Sequence, residues 1–296
     1  MPDPVRVFAP AKINLALHVT GQRADGYHLL DTLVNFASIG DILTVSAQGD
    51  PGLTVHGTFA RDVPTDDSNS ILAVAGVFKE AAPLAFTLQK ELPVASGIGG
   101  GSADAAACYR ALSMRAGRTL QSDDADRLLS LGADVPMCVA CAPARVQGIG
   151  EEIKAVPSLP DLPIVLVNPG VAVSTPAIFK ALSQKNNPPM TAMPSDIGNR
   201  ARFLTWLADQ RNDLQPAACE AVPVLHRVLA ALRETAGCDL ARMSGSGATC
   251  FGLYPTRAAA AQAAQEIKAR QPQWWVQAGR LNGHALAAPQ VIRSTT

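Results

Sequence analysis

Residues 5–19 alternate between apolar and polar positions. Val7, Ala9, Ala11, Ile13, Leu15, Leu17 and Val19 share one face, and Phe8, Lys12, Asn14, Ala16 and His18 the other. A period of two predicts a half-buried β-strand, so the face carrying Lys12 and Asn14 points to solvent or to a site. Gly21 to His28 is a polar loop with turn chemistry. Further strands are expected at 30–38, 41–47, 52–56 and 84–90. Ser102 can cap a helix running to about Arg115, with Asp104 in its first turn and Gly117 past its end. Ser122 can cap a second helix, Asp123 to Leu131, ended by Gly132.

The second half reads differently. Pro157 to Pro163 contains three prolines and reads as a linker. Ile164-Val-Leu-Val167 is a short buried strand, and Thr175-Pro176 an N-cap with proline at the first helical position, starting a helix to about Leu182. Ser183 to Ser195, rich in Asn, Pro and Thr, reads as a mobile surface loop. Helical patterns follow at 199–209, 222–236 and 257–270, with strands near 238–243, 248–254 and 274–280. This order of strands and helices predicts an α+β sandwich.

Composition narrows the class. The chain has 296 residues, 48% hydrophobic and 17% charged, which supports a substantial core. A formal net charge of zero argues against a nucleic-acid partner, which would need a basic excess. No apolar run is long enough to span a bilayer, and the first residues lack a signal-peptide core. The expectation is a cytoplasmic enzyme acting on a small molecule, with neither nucleic acid nor membrane as partner. Cys138-Val-Ala-Cys141 has redox or zinc spacing, but no second pair or nearby histidine completes a metal set. Two small buried residues are the better reading.

The segment Pro93-Val-Ala-Ser-Gly-Ile-Gly-Gly-Gly-Ser-Ala103 carries the most chemistry. Four glycines, Gly97, Gly99, Gly100 and Gly101, precede an alanine-rich helix. Glycine admits positive φ and lets a ligand approach the backbone. The helix start adds unpaired N–H groups and a positive dipole end. Together they suit phosphate, although glycine runs are also plain flexible turns. Neither GxxxxGK[ST] nor GxGxxG is met, which disfavours a P-loop and a nicotinamide oxidoreductase.

The loop and the helix after it resemble the phosphate loop of the GHMP kinase superfamily. Pro10-Ala-Lys-Ile-Asn-Leu15, Leu131-Gly-Ala-Asp-Val-Pro136 and Arg242-Met-Ser-Gly-Ser-Gly-Ala-Thr249 resemble its other motifs, in the same order. Asp25-Gly-Tyr-His28, Val173-Ser-Thr-Pro-Ala-Ile-Phe-Lys180 and Asn212-Asp-Leu-Gln-Pro216 resemble the branch that phosphorylates a cytidine-diphosphate-linked methylerythritol. The resemblance implies a two-lobed α+β fold. Its N-terminal lobe (1–160) would be like ribosomal protein S5 domain 2 and carry ATP. Its C-terminal lobe (161–296) would be ferredoxin-like and lie on the substrate side.

It also implies ATP as phosphoryl donor, Mg²⁺ with ligands unassigned, and site roles. Lys12 and Asp134 would be catalytic. Asn69 and the run Pro93, Val94, Ala95, Ser96, Gly97, Ile98, Gly99, Gly100, Gly101, Ser102 and Ala103 would hold ATP. Asn14, Tyr27, His28, Thr175 and Phe179 would hold substrate, with Tyr27 stacking on cytosine, His28 reading its edge and Phe179 as a second wall. Each has a plainer reading. Lys12 can be a solvated strand lysine, and Asp134, Tyr27 and His28 turn residues. Phe179 can be a core anchor and Asn69 a helix cap. Ser244 to Gly247 can be a backbone nest near the substrate diphosphate or a tight turn. The rivals are a homoserine- or mevalonate-type kinase and a non-catalytic binding protein on the same fold.

Overall fold

The computed structural model describes residues 3–78, 83–118, 122–156 and 159–292. In chain order the first half contains β1 (Val5–Gln22), β2 (His28–Ser46), β3 (Gly52–His56), α1 (Ser70–Ala75), β4 (Ala85–Gln89), α2 (Gly100–Ala116), α3 (Ser122–Leu131), α4 (Val135–Ala140), β5 (Ala144–Gly148) and β6 (Glu152–Ala155). The second half contains β7 (Pro163–Asn168), α5 (Thr175–Lys180), α6 (Arg200–Ala208), α7 (Gln215–Ala221), α8 (Val224–Glu234), β8 (Leu240–Met243), β9 (Cys250–Leu253), α9 (Arg257–Arg270), β10 (Trp275–Arg280) and β11 (Gln290–Val291).

Two sheets organise the α+β fold. The first runs β11-β1-β2-β4-β3, with β5 on β2 and β6 beyond it. The second runs β10-β7-β9-β8, all antiparallel. Placing the fourth, first, third and second strands of this half side by side is the ferredoxin-like order. After β10 the chain returns to the first sheet: Gly283 lies against the Ala37 carbonyl, and β11 pairs with Val5 and Arg6.

The long strand β1 departs from simple alternation in two ways. It is buried on both faces: Lys12, Asn14, Ala16 and His18 are as inaccessible as Ile13 and Leu15. It also slips register against β2 between Pro10 and Lys12, between Asn14 and Ala16, and between Val19 and Gly21. At the middle slip Leu15 is the extra residue, and a bulge of this kind reverses the parity of the residues after it. Ala16 therefore joins Ala11, Ile13 and Leu15 in the core shared with β7 and α6. Leu17 and Val19 turn to a different core, under α7 and α8. Val7 and Ala9 belong to a third, beneath α2. The seven apolar positions thus serve three clusters.

Other expectations shift for local reasons. The two strands expected at 30–38 and 41–47 are one, β2, because Gly40 marks an irregularity rather than a turn; a Cβ there would meet the Ala9 carbonyl at 2.4 Å. Helix α2 starts at Gly100 with left-handed Gly99 as its N-cap, not at Ser102. Asp104 then lies beyond the first turn and is buried in an ion pair with Lys90 at 2.5 Å. Helix α5 is capped by Ser174, one residue before Thr175, its Oγ accepting from Ala177 N–H. Helix α7 was not expected; Pro216 sits in its first turn.

Within the proline-rich linker, Pro157 and Ser158 lie outside the described residues, whereas Leu159 and Leu162 are buried. The 183–195 segment is irregular but pinned. Asn187 N–H donates to the Val19 carbonyl. Met190, itself buried, donates to Asp31 and accepts from Arg145. Cys138 and Cys141 are free and buried, and the described residues contain no group of three or more metal-ligating side chains. No helix among them is long and apolar enough to cross a membrane.

Candidate active site

The irregularities of β1 build the site. Lys12 N–H donates to the Ile98 carbonyl at 2.9 Å, tying the glycine loop to the strand. Asn14 N–H donates to Ser244 Oγ at 3.1 Å, which ties in the turn between β8 and β9. Ser244 Oγ in turn donates to the Gly97 carbonyl. The two glycine turns interlock. Gly97 (φ +75°) would place a Cβ 2.6 Å from the Ser244 carbonyl, and Gly245 (φ +55°) one 2.7 Å from the Gly97 carbonyl. No side chain fits at either position, so glycine is required by contact as well as by φ.

The loop then enters α2. Ala103 N–H is the first to find a helical acceptor, the Gly99 carbonyl at 2.8 Å. The preceding N–H groups of Gly100, Gly101 and Ser102 have no acceptor among the described residues. They are the orphan donors of a helix start, aligned with its positive end. Gly99 and Gly100 each rest on a lysine. A Cβ on Gly99 would lie 3.2 Å from Lys12 Cβ, and one on Gly100 would lie 3.2 Å from Lys90 Nζ.

Lys12 Nζ pairs with Asp134 Oδ2 at 2.7 Å; the lysine is nearly sealed, while the aspartate side chain is 35% exposed. Asp134 precedes α4 without capping it, so its carboxylate remains available to the cleft. Lys90 is sealed and pairs with Asp41 at 2.7 Å and Asp104 at 2.5 Å. Burial alone would depress Lys90, but Asp104 and Asp41 together hold it above its ordinary value. Burial pushes Asp104 up to about 7 despite the lysine.

A cleft of about 840 Å³ runs past these groups. Lys12, Asp134, Ala95, Ser96, Gly97 and Gly99 to Ser102 line one part, and Asn14, Tyr27, His28, Thr175 and Phe179 another. Phe179 stacks directly on His28, with ring centroids 4.8 Å apart. No third ring fits between them, so they form one wall. Tyr27 is 62% exposed beside it. Burial, then Lys185, lowers the His28 pKa, which favours the neutral ring. His28 Nε2 and Asn14 Oδ1 are buried without a hydrogen-bond partner, and both belong to cleft-lining residues. Such groups cost free energy until a ligand meets them. Thr175 Oγ1 and Ser246 Oγ are hydrogen-bonded at 2.7 Å, joining α5 to the second glycine turn.

Five expected residues do not line the cleft. Ile98 and Ala103 are buried, Val94 is largely exposed, and the Pro93 carbonyl accepts from Ser96 Oγ. Asn69 caps α1: its Oδ1 accepts from Ile71 N–H and its Nδ2 donates to the Pro64 carbonyl. Conversely, Leu17, Thr32, Gly245 and Ser246 line the cleft and were not singled out as site residues. Leu17 arrives there only through the bulge. Ser246 lies inside a motif that admitted a nest reading, which was the available signal.

The chain matches the GHMP kinases N terminal domain over residues 69–142 and the GHMP kinases C terminal domain over 171–273. It is 52% identical over 287 residues to the 4-diphosphocytidyl-2-C-methyl-D-erythritol kinase of Roseobacter denitrificans, covering 96% of both chains. It is 53% identical over 273 residues to that of Dinoroseobacter shibae, covering 92% of this chain and 93% of the relative. Among solved structures, a 4-(cytidine 5'-diphospho)-2C-methyl-D-erythritol kinase superposes with a TM-score of 0.75 at 30% identity, covering 93% of this chain and 98% of that one. A homoserine kinase from Cytophaga hutchinsonii shares the fold, with a TM-score of 0.67 at 20% identity and coverage of 99% and 98%. The chain belongs to the 4-diphosphocytidyl-2-C-methyl-D-erythritol kinase family of the GHMP kinases.

Proposed function

We propose that this protein transfers the γ-phosphoryl group of ATP to the 2-hydroxyl of 4-diphosphocytidyl-2-C-methyl-D-erythritol, a step of non-mevalonate isoprenoid precursor biosynthesis. The observation that carries the reading is the Lys12–Asp134 pair beside the glycine loop, in one cleft with the His28–Phe179 wall. The pair also argues against a non-catalytic binder, since such a protein needs no half-open carboxylate beside a phosphate cradle.

Phosphoryl transfer depends on positioning and on stabilising charge. The free N–H groups of Gly100, Gly101 and Ser102 hold the phosphates. Asp134 accepts the proton of the attacking hydroxyl through the oxygen that Lys12 leaves free. Lys12 holds that carboxylate in place and stabilises negative charge developing nearby. Tyr27 stacks on the cytosine, and His28 Nε2 and Asn14 Oδ1 find partners on the acceptor. Ser246 and Thr175 offer hydroxyls to its diphosphate. The donor belongs to the first lobe (1–160), and the acceptor side is shared, with Asn14, Tyr27 and His28 from the first lobe and Thr175, Phe179 and Ser246 from the second (161–296); residues 283–292 pack on the first sheet.

Mg²⁺ prefers phosphate oxygens, water and one or two carboxylates. The cleft offers Ser102 Oγ, Asp134 and, paired with Arg23, Asp25, and no group of three or more ligands among the described residues. That sparse set fits a cation that would arrive on the triphosphate, with Ser102 Oγ as a protein neighbour and the free oxygen of Asp134 left to the proton. When bound it supplies neutralisation of charge on the transferred group. A cytoplasmic location fits an enzyme that draws on ATP.

The test is ADP release with the cytidine diphosphate substrate against homoserine and mevalonate. Turnover with the first alone is expected. Comparable turnover of either rival would overturn the assignment.

A further inference from the structure

Asn14 carries a buried amide with one end tied and the other free. The residue is 3% exposed. Its Nδ2 donates to Thr32 Oγ1 at 2.8 Å, whereas its Oδ1 has no hydrogen-bond partner among the described residues. The free end looks toward Gly245, where a Cβ would lie 3.4 Å from Oδ1. Asn14, Thr32 and Gly245 all line the cleft.

Thr32 decides which end is which. A hydroxyl has one proton and two lone pairs, and Thr32 donates its proton to the Ala16 carbonyl at 2.6 Å. That carbonyl lies beside the register slip between Asn14 and Ala16, where the ladder is locally disrupted. A carbonyl oxygen can only accept, so the proton is committed there. Toward Asn14 the hydroxyl then presents only lone pairs, and the atom facing it must be a donor. The amide is thereby fixed with its NH₂ on Thr32 and its oxygen on the cleft. Thr32 is itself buried, so reversing the amide would set two acceptors face to face without water between them.

The main chain repeats the device. Ser244 Oγ, fully buried, gives its proton to the Gly97 carbonyl at 3.1 Å and accepts from Asn14 N–H at 3.1 Å. Asn14 is thus held from β2 through its side chain and from the second glycine turn through its backbone. Between Lys12 and Asn14 the pairing with β2 is regular, so their side chains share a face, about 6–7 Å apart along the strand.

A buried, unpaired acceptor this close to the Lys12–Asp134 pair calls for an O–H or N–H on the substrate. Ionised phosphate oxygens and carbonyls bring only lone pairs and do not satisfy it. The acceptor proposed above carries hydroxyls at C1 and C3, on either side of the reacting carbon. We infer that Thr32 is a positioning residue, which fixes Asn14 Oδ1 as the reader of one of these non-reacting hydroxyls. The identity of the substrate rests on the phosphoryl-transfer reading; the orientation of the amide does not.

The experiment has two arms. The first uses the protein without substrate: ¹H–¹⁵N NMR should show NOE cross-peaks from the Asn14 Nδ2 protons to Thr32 Hβ. Cross-peaks to the Gly245 α-protons in their place would overturn the orientation, whatever the substrate. The second arm measures binding of the cytidine diphosphate substrate and its 1-deoxy and 3-deoxy analogues by calorimetry. In the parent, one analogue should bind roughly tenfold to a hundredfold more weakly than the substrate, the loss for leaving a buried acceptor unmet. Thr32→Val keeps the shape of the side chain and removes the hydroxyl. The substrate should bind it more weakly, the analogue's penalty should largely vanish, and the KM for ATP should stay at the parent value. Thr32→Ser returns the hydroxyl and should return the discrimination; it and the parent carry the test if Thr32→Val does not fold. An equal penalty in the parent and Thr32→Val would reject the positioning role. So would a matching loss of ATP affinity in Thr32→Val, or parent binding of both analogues as tight as that of the substrate. Failure of the parent to bind the cytidine diphosphate substrate at all would sink the phosphoryl-transfer reading and the hydroxyl-reading role with it, and the NMR arm separates that failure from a wrong amide orientation.

Discussion

Two lysine–aspartate systems flank the glycine loop, and we read their differences as separating chemistry from scaffolding. Lys12 and Asp134 form a one-to-one pair with the carboxylate partly open to the cleft. Lys90 is shared by Asp41 and Asp104, and all three are sealed. Each lysine lies against one glycine, Lys12 under Gly99 and Lys90 under Gly100. The open pair keeps a carboxylate oxygen free for a proton. In the sealed triad the carboxylates act on the fold. Asp41 Oδ1 accepts from Glu91 and Leu92 N–H, fixing the approach to the loop, and Asp104 anchors α2 behind it. The residues are the same; solvent access and the ratio of charges decide which pair can exchange protons with a substrate.

If that division is right, substitutions in the two systems should fail in different assays. Asp134→Asn should lower kcat by about 10²- to 10⁴-fold, the range for losing a general base, with ATP affinity and melting temperature nearly unchanged. Steady-state kinetics with calorimetry checks this, and near-normal turnover would remove Asp134 as base. Lys90→Met should instead destabilise the fold by about 3–5 kcal/mol, because two buried carboxylates lose their counter-charge. Urea unfolding reads the loss; a variant as stable as the parent would break the contrast.

The glycines give a finer test. Gly99→Ala forces a side chain into left-handed φ at +65°, at about 1–2 kcal/mol, and presses on Lys12, so stability and rate should both fall. Gly100→Ala has an ordinary φ; its Cβ meets the Lys90 ammonium at 3.2 Å and Leu92 at 3.7 Å, an ordinary contact, and it should cost less in both. The reverse ranking would mean that the loop leans chiefly on the sealed triad.

The smallest expected effect is in pH dependence. Asp104 is pushed up to about 7 from 3.8. Its contribution to stability is therefore full below its unfolded value and is lost as pH rises through about 7. Lys90, held above its ordinary value, remains charged across that window. Asp104→Asn should consequently improve relative to the parent between pH 5 and pH 8 in urea unfolding. A constant gap at the two pH values would show that Asp104 does not titrate there.

Much of this was legible in the chain. The strands of the second half, most of its helices and the glycine loop follow from local pattern, and the family resemblance puts Lys12 and Asp134 in one site. The misses share a cause. Ser102 looks like a cap because its residue type is right, yet Gly99 takes the position since left-handed φ is needed where the loop joins the helix. Asp104 looks like a dipole partner, but a lysine from a different element claims it. Asn69 is not among the misses: of its two readings, ligand contact or helix cap, the cap is formed.

The sequence by itself determined the element types, the family motifs and the residues capable of the chemistry, because periodicity, glycine conformational freedom and side-chain chemistry are local properties. Only the tertiary structure decided which face of β1 each residue occupies, since a register slip depends on the partner strand. It also decided which lysine is sealed, because burial is conferred by distant segments. It also buried Arg242 against the carbonyls of Leu15, Leu207 and Gln210, a fact of packing that no local pattern encodes.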